Sequence, residues 1–279
     1  MAKRTIETGT TDLLASVEDG VAVVVMNRPE RRNALSRDML GAMASVLAAC
    51  EIDPSVACVV LTGAGGAFCA GGDVKGMADG TGGGSTAAAG ADLDSRIHAQ
   101  RLSQRATAGK IYKMPKPTIA AIPGAAAGAG LSLALACDLR VAAEGAVMTT
   151  AFAKVGFSGD YGGTYFLSHL VGSAKARELY YLSDRIDMKE ALRLGLVNWV
   201  VPADQLHAKT LEIAHRLAKG PRVAYRYMKE NINRAVTGAD VDDCLDLEAT
   251  HHNHTGQTED HREAAKAFVE KREPVFKGR

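Results

Sequence analysis

In two places an apolar, β-prone run of this chain ends in a turn built almost entirely from glycine and alanine, and few structures accommodate that pattern. In the first, Val59-Val60-Leu61-Thr62-Gly63 runs into AGGAFCAGGD, Ala64 to Asp73. In the second, Thr118 to Ile122 meets Pro123-Gly124, a turn of Gly and Ala follows through Gly130, and an apolar helical run spans Leu131 to Ala136. A strand, a small-residue turn and a buried helix start leave backbone N–H groups unpaired at the helix N-terminus, where they can hold a negatively charged oxygen. Side chains larger than these would keep a ligand carbonyl away from the backbone. Two such turns at strand ends can each give one N–H to a single oxygen, which is an oxyanion hole.

The 279 residues suffice for a full core in one domain with a small appendage. Lys+Arg number 33 against 32 Asp+Glu, a net charge of +1, so no broad electrostatic case exists for nucleic acid or membrane partners. The five cysteines (Cys50, Cys58, Cys69, Cys137, Cys244) are scattered and mostly sit in apolar runs, which favours reduced, buried thiols over a disulfide framework. The N-terminus has no apolar segment of signal-peptide length and no run is long enough to span a bilayer, so the expectation is a soluble, cytoplasmic protein.

Leu13 to Met26 reads as two strands around Asp19-Gly20, a pair suited to a hairpin turn. Ser36 is placed to cap a helix through about Cys50, with Met39, Met43, Val46 and Leu47 on one face. Val56 to Leu61 lacks alternation, as a strand buried on both faces does. Residues 75–95 turn abruptly to Gly, Ala, Ser and Thr, either a flexible surface insertion or a mobile lid beside a site. Ile97 to Met114 reads as one helix closed by Pro115 and Pro117. Phe152 to Gly163 is a Gly-rich loop with a single acid, Asp160; helices over 164–171 and 174–182 follow. Beyond Pro202 the chain reads as wholly helical. The expected partition is therefore a mixed α/β body over 1–203 and a helical region over 204–279 used for packing or assembly.

Several chemistries are disfavoured. GAGLSL and GAGGAF lack the third in-phase glycine and the distant acid of a dinucleotide site, and no phosphate-binding GK[ST] loop occurs. The spacing of His251, His252 and His254 puts at most two on one helical face, with no supporting carboxylates, so no metal site is expected.

The pattern LTGAGGAFCAGGDVKGM, KPTIAAIPGAAAGAGLSLALACDLRVA, AFAKVGFSGDYGGTYFL, A…LGLVNWVV and the closing FVEKREPVFK resembles the enoyl-CoA hydratase/isomerase (crotonase) superfamily, in order and over nearly the whole chain. The resemblance implies the crotonase (ClpP-like) fold, a spiral of ββα units whose helical C-terminal region trimerises, trimers pairing into hexamers. It implies an acyl-CoA thioester as substrate and no further cofactor, coenzyme A being part of the substrate. By position, the N–H groups of Ala70 and Ala129 would hold the thioester oxygen. Ala70, Gly71, Gly72 and Asp73 would line the CoA path with Arg28 nearby, and Phe268 and Lys271 would reach a neighbouring subunit's CoA.

The departures from the family pattern bear on the chemistry. The two glutamates of a hydratase, one activating water and one delivering the α-proton, are replaced here by Ser132 and Phe152, neither able to do that work at neutral pH. Asp160 stands where several relatives carry an acting Asp, among them the dienoyl-CoA isomerases and the ring-epoxide isomerase of phenylacetyl-CoA breakdown. One acid can take a proton from one carbon of a thioester-stabilised dienolate and return it to another, so allylic or ring isomerisation is the expected reaction. Phe152, Phe157 and Tyr161 are expected to desolvate Asp160 and make it a better base. Simple hydration, an Asp160 nucleophile as in the chlorobenzoyl-CoA dehalogenases (where Arg105 stands in place of their His), and a non-catalytic acyl-CoA- or RNA-binding role are the alternatives.

Overall fold

The computed structural model describes residues 3–78 and 90–279. Its frame is a seven-stranded sheet. β1 (Arg4–Ile6), β2 (Leu13–Glu18) and β3 (Val21–Met26) form an antiparallel edge, and β4 (Cys58–Gly63), β5 (Thr118–Ile122), β7 (Leu139–Ala143) and β10 (Trp199–Val201) continue it in parallel. Asp19 and Gly20 join β2 to β3 with φ of 45° and 83°, the two left-handed residues that a tight hairpin of matching twist requires. Helix α1 (Arg37–Ile52) starts at Ser36, whose hydroxyl accepts the Met39 N–H at 3.1 Å.

A second, smaller sheet holds β6 (Ala126–Ala127), β8 (Val147–Thr149) and β9 (Ile186–Asp187). Single-residue bridges, Leu35 to Gly72 and Cys69 to Ala126, extend its path. One unit therefore recurs: a long strand in the main sheet, a short extended piece in the second layer, then a helix. β3, Leu35 and α1 form the first turn of this spiral, and β4, the 69–72 turn and α2 (Val74–Ala78) form the next. β5, β6 and α5 (Ala129–Ala136) follow, then β7, β8 and α6 (Gly163–Leu182). The second Gly/Ala turn is thus not irregular throughout, since it contains β6, and its helix begins at Ala129 rather than Leu131.

Because the strands alternate, the main sheet has two apolar faces. Val59, Leu61, Ala120 and Ile122 join the large core with α1, α5 and α6. Cys58, Val60, Ile119, Ala121 and Val141 face the other way onto α8 (Leu206–Ala218), through its buried Leu206, Ala214 and Ala218. The first helix of the expected 204–279 region thus packs directly on the sheet. The charged helices α9 (Arg222–Val236), α10 (Val241–Gly256) and α11 (Glu259–Glu270) follow it.

The expected helix over 97–114 is two, α3 (Leu93–Ala106) and α4 (Ala108–Lys113), broken at Thr107 (φ −113°, ψ −90°). The 164–182 stretch is broken at Gly172 (φ 76°), as the sequence suggests, and α7 (Met188–Arg193) leads to β10. Most of the proposed 75–95 insertion or lid, residues 79–89, lies outside the described residues. Cys50, Cys58, Cys69 and Cys137 are buried free thiols, as expected, while Cys244 is only half-buried. Among the described residues no helix is long and apolar enough to cross a membrane.

Candidate active site

The short second-layer pieces bring the two Gly/Ala turns together. Leu35 N–H donates to the Gly71 carbonyl at 2.8 Å, Ala127 N–H to the Cys69 carbonyl at 2.9 Å, and Gly128 N–H to the Thr149 carbonyl at 3.1 Å. The backbones approach so closely that side chains are excluded. A Cβ on Gly130 would sit 2.4 Å from the Cys69 carbonyl oxygen. One on Gly71 (φ 90°) would sit 2.8 Å from that of Ala127 and 3.3 Å from Ala129 N. The first turn therefore lies against the start of α5, and that start lies against the 149–152 segment.

The turn N–H groups do not all remain available. Ala70 N–H donates to the Arg32 carbonyl at 3.0 Å and Gly71 N–H to Cys69 Sγ at 3.4 Å. Ala70 is thereby corrected as a donor to a bound oxygen, because Arg32 and Asn33, both left-handed (φ 50° and 57°), fold a loop over it. Gly72 N–H and Ala129 N–H have no partner among the described residues. The left-handed angle at this helix start falls on Gly128 (φ 52°), so Ala129 adopts an ordinary φ and carries its methyl without strain.

Arg28 lies beside this turn, as expected. Its Nη2 is 3.3 Å from Asp73 Oδ2 and its Nη1 donates to the Ala34 carbonyl at 2.7 Å. The Gly76 N–H, and after it the Arg28 guanidinium, hold the Asp73 carboxyl below its ordinary range. Asn33, not singled out in the sequence, fixes the loop from a fully buried position. It accepts the Arg28 N–H at 2.9 Å and donates to the carbonyls of Ala64 and Ala67 at 2.8 and 2.9 Å. A left-handed Asn between two turns is the signal that could have found it.

Asp160 sits in a loop whose backbone is unusual on both sides: Gly159, Tyr161 and Gly162 have φ of 119°, 49° and 77°. A left-handed tyrosine costs about 1 kcal/mol and persists only where its surroundings hold it. Here Tyr161 is buried, its N–H donates to Gln104 Oε1 at 3.1 Å, and its hydroxyl lies 3.4 Å from Ser103 Oγ on α3. The Asp160 carbonyl accepts the Gly163 N–H at 3.0 Å at the start of α6. Its side chain is not a cap: Oδ1 is fully buried and has no hydrogen-bond partner. Burial alone pushes this carboxyl from an ordinary 3.8 up to about 6.

Of the aromatics expected around Asp160, Phe152 and Tyr161 are buried, but Phe157 is 56% exposed and leaves the desolvation to others. Its place is taken by Tyr180 of α6, which the sequence reading missed because it lies twenty residues farther on. The Tyr180 ring stacks on Phe152 (centroids 5.7 Å, 10° between planes) and its edge packs against Gly159. Ser132 Oγ turns back to the Gly128 carbonyl at 3.3 Å, a packing role. Phe268, 86% exposed, and Lys271, the left-handed cap of α11, have no side-chain hydrogen bond, ion pair or ring contact among the described residues. His251 stacks on Tyr227 and faces Asn231, and among the described residues no group of three or more His, Cys, Asp or Glu could hold a metal.

Residues 16–279 match the family model described as enoyl-CoA hydratase/isomerase. The chain is 35% identical to the 1,2-epoxyphenylacetyl-CoA isomerase of Escherichia coli K12, over 96% of this chain and 98% of that one. It is 35% identical to the short-chain-enoyl-CoA hydratase of Clostridium acetobutylicum, over 94% and 95%. The crystal structure of an enoyl-CoA hydratase from Polaromonas sp. JS666 superposes with a TM-score of 0.87 at 32% identity, covering 95% of this chain and 99% of that one. The spiral of ββα units is the crotonase fold, and the chain belongs to the enoyl-CoA hydratase/isomerase family.

Proposed function

We propose that this protein isomerises an unsaturated or ring-strained acyl-CoA thioester by moving one proton with Asp160. The observation that carries the reading is the Asp160 carboxyl: one oxygen is buried and unpartnered, and burial lifts its pKa to about 6, so at neutral pH it is ionised yet still a competent base. Gly72 N–H, in place of Ala70, and Ala129 N–H hold the thioester oxygen as it becomes an enolate oxygen. Asp160 takes the proton from C2 of a 3-enoyl thioester and returns it to C4, leaving the double bond between C2 and C3. Gly71 to Asp73 and Arg28 line the CoA path, and no cofactor beyond the substrate's own coenzyme A enters. The molecule works as a homotrimer or hexamer, in which Phe268 and Lys271 meet a neighbour's CoA; their exposure in the single chain supports that role.

Both relatives named above act on CoA thioesters by their names, one as an isomerase and one as a hydratase. Absence of a second carboxylate at Ser132 and Phe152 favours the isomerase. The test is Asp160→Asn with vinylacetyl-CoA, followed at the conjugated enoyl-thioester absorbance. The variant is expected to lose at least about 10³-fold in kcat; isomerisation at the wild-type rate would refute the proton shuttle.

A further inference from the structure

The wall beside Asp160 is built to leave no place for a water molecule. Phe152 and Tyr180 stack nearly parallel, with Phe152 only 7% exposed. The Tyr180 ring edge closes on Gly159, one residue before Asp160, and its hydroxyl abuts Gly163, where a Cβ would lie 2.5 Å from it and 2.3 Å from Ser132 Oγ. Behind the pair, the crevice lined by Gly128, Leu131, Ser132, Phe152, Gly163 and Tyr180 is too narrow to admit a water. The nearby hydroxyls offer little to one. Ser132 Oγ donates to the Gly128 carbonyl, and Thr150 Oγ1 donates to the Leu179 carbonyl at 2.7 Å. A buried water needs both room and several polar partners, and this crevice lacks the room.

We propose that the stacked Phe152–Tyr180 pair is the specificity determinant that keeps water from the reacting carbons and so restricts the enzyme to proton transfer. The inference rests on the proposed isomerase reading. Asp160 by itself is chemically able to hydrate a 2-enoyl thioester, though less efficiently than a pair of carboxylates would. It would take a proton from water, the water oxygen would bond to C3 as the C2–C3 π bond opens, and Asp160 would return the proton to C2. The same carboxylate and the same oxygen-holding N–H groups serve both reactions. What separates them, besides the missing second carboxylate, is whether a water stands within reach of Asp160 and C3, and the aromatic plate closes the flank of the Asp160 loop at Gly159. Tyr180 acts through its ring; its hydroxyl is not required.

The experiment is the product ratio, 3-hydroxybutyryl-CoA to crotonyl-CoA, formed from vinylacetyl-CoA, together with hydration of crotonyl-CoA, both read by mass spectrometry in ¹⁸O-water. Wild type should give crotonyl-CoA almost alone. Tyr180→Ala should raise the hydration-to-isomerisation ratio by about tenfold or more, while Tyr180→Phe, which keeps the plate, should stay near wild type. Should Tyr180→Ala fail to fold, Phe152→Leu thins the same wall and is expected to move the ratio in the same direction. An unchanged ratio in a folded, active Tyr180→Ala or Phe152→Leu overturns the proposal, as does a wild type that hydrates crotonyl-CoA as fast as it isomerises vinylacetyl-CoA. The parent reading fails separately: Asp160→Asn that still isomerises at the wild-type rate removes the shuttle, and crotonyl-CoA hydration by Tyr180→Ala then decides the wall on its own.

Discussion

An ionised carboxylate with a sealed, unpartnered oxygen costs stability, and Asp160 is kept in spite of that. Two outcomes follow. In its proposed role as a base Asp160 must be deprotonated, so kcat/KM for the proposed isomerisation is expected to rise with pH through about 6 and level off above it, in a pH–rate profile of the free enzyme. In the folded chain the raised pKa means the proton is bound more tightly than in the unfolded one. The ionised group therefore destabilises above about pH 6, and that cost fades as pH falls toward the ordinary value of 3.8. Asp160→Asn should accordingly gain on the order of 2 kcal/mol in urea unfolding at neutral pH and almost nothing near the ordinary carboxyl pKa. Asn33→Ala should lose about 2–3 kcal/mol, because it strips partners from two carbonyls and an N–H in the buried loop. Asp160 and Phe152 were legible in the sequence because a lone acid in a Gly-rich loop and an aromatic beside it are local features. Gly72 was legible only as part of the CoA path, and Asn33 and Tyr180 were not legible at all. Which N–H in AGGD stays free depends on Arg32 folding over from another segment, and Tyr180 reaches Phe152 only through tertiary packing.

Elements were legible where a period or a cap marks them. The hairpin at Asp19-Gly20, the Ser36 cap and the break at Gly172 each rest on local backbone chemistry. The two-residue strands β6 and β9 and the bridges at Leu35, Cys69 and Gly72 carry no periodicity, yet they join successive turns of the spiral. The break at Thr107 was invisible for a similar reason, since nothing in SQRATAGKIY stops a helix. How tightly the elements fit is testable at the start of α6. Gly163→Ala would force a methyl into the space held by Ser132 Oγ and Tyr180 OH and should cost about 2 kcal/mol in chemical denaturation. Adding Tyr180→Ala to it should recover part of that loss by making room.

At the scale of the whole molecule, α9 is amphipathic but has no buried residue. Met228, Ile232 and Val236 form an i, i+4, i+8 stripe, each at least 40% exposed, along a groove of about 560 Å³ that Tyr112, Tyr165 and Leu217 also line. Such an exposed stripe suits contact between copies of the chain. In the proposed trimer or hexamer, Ile232→Glu is expected to shift the assembly toward monomer, and light scattering coupled to gel filtration would read the mass directly. The helical character of the tail was legible, but the packing of α8 on the sheet was not: α8 looks like its successors in sequence and differs only in having the sheet beneath it.

The ladder through Leu35, Cys69, Ala127 and Gly128 joins the large core at Leu35 and Cys69, and the Asp160 loop joins the same core at Tyr161, whose N–H also reaches Gln104 on α3, a helix with no buried residue. Both halves of the site are therefore anchored in one core, but α3, the outer tether of the Asp160 loop, is not. In deuterium exchange the amides of Cys69 and Ala127 should open only with the whole molecule, while α3 and the Tyr161 amide exchange through a smaller, earlier opening. The backbone that would hold an oxygen is pinned by its own hydrogen bonds, and an opening of α3 would release the outer tether of the proton-moving loop without breaking them.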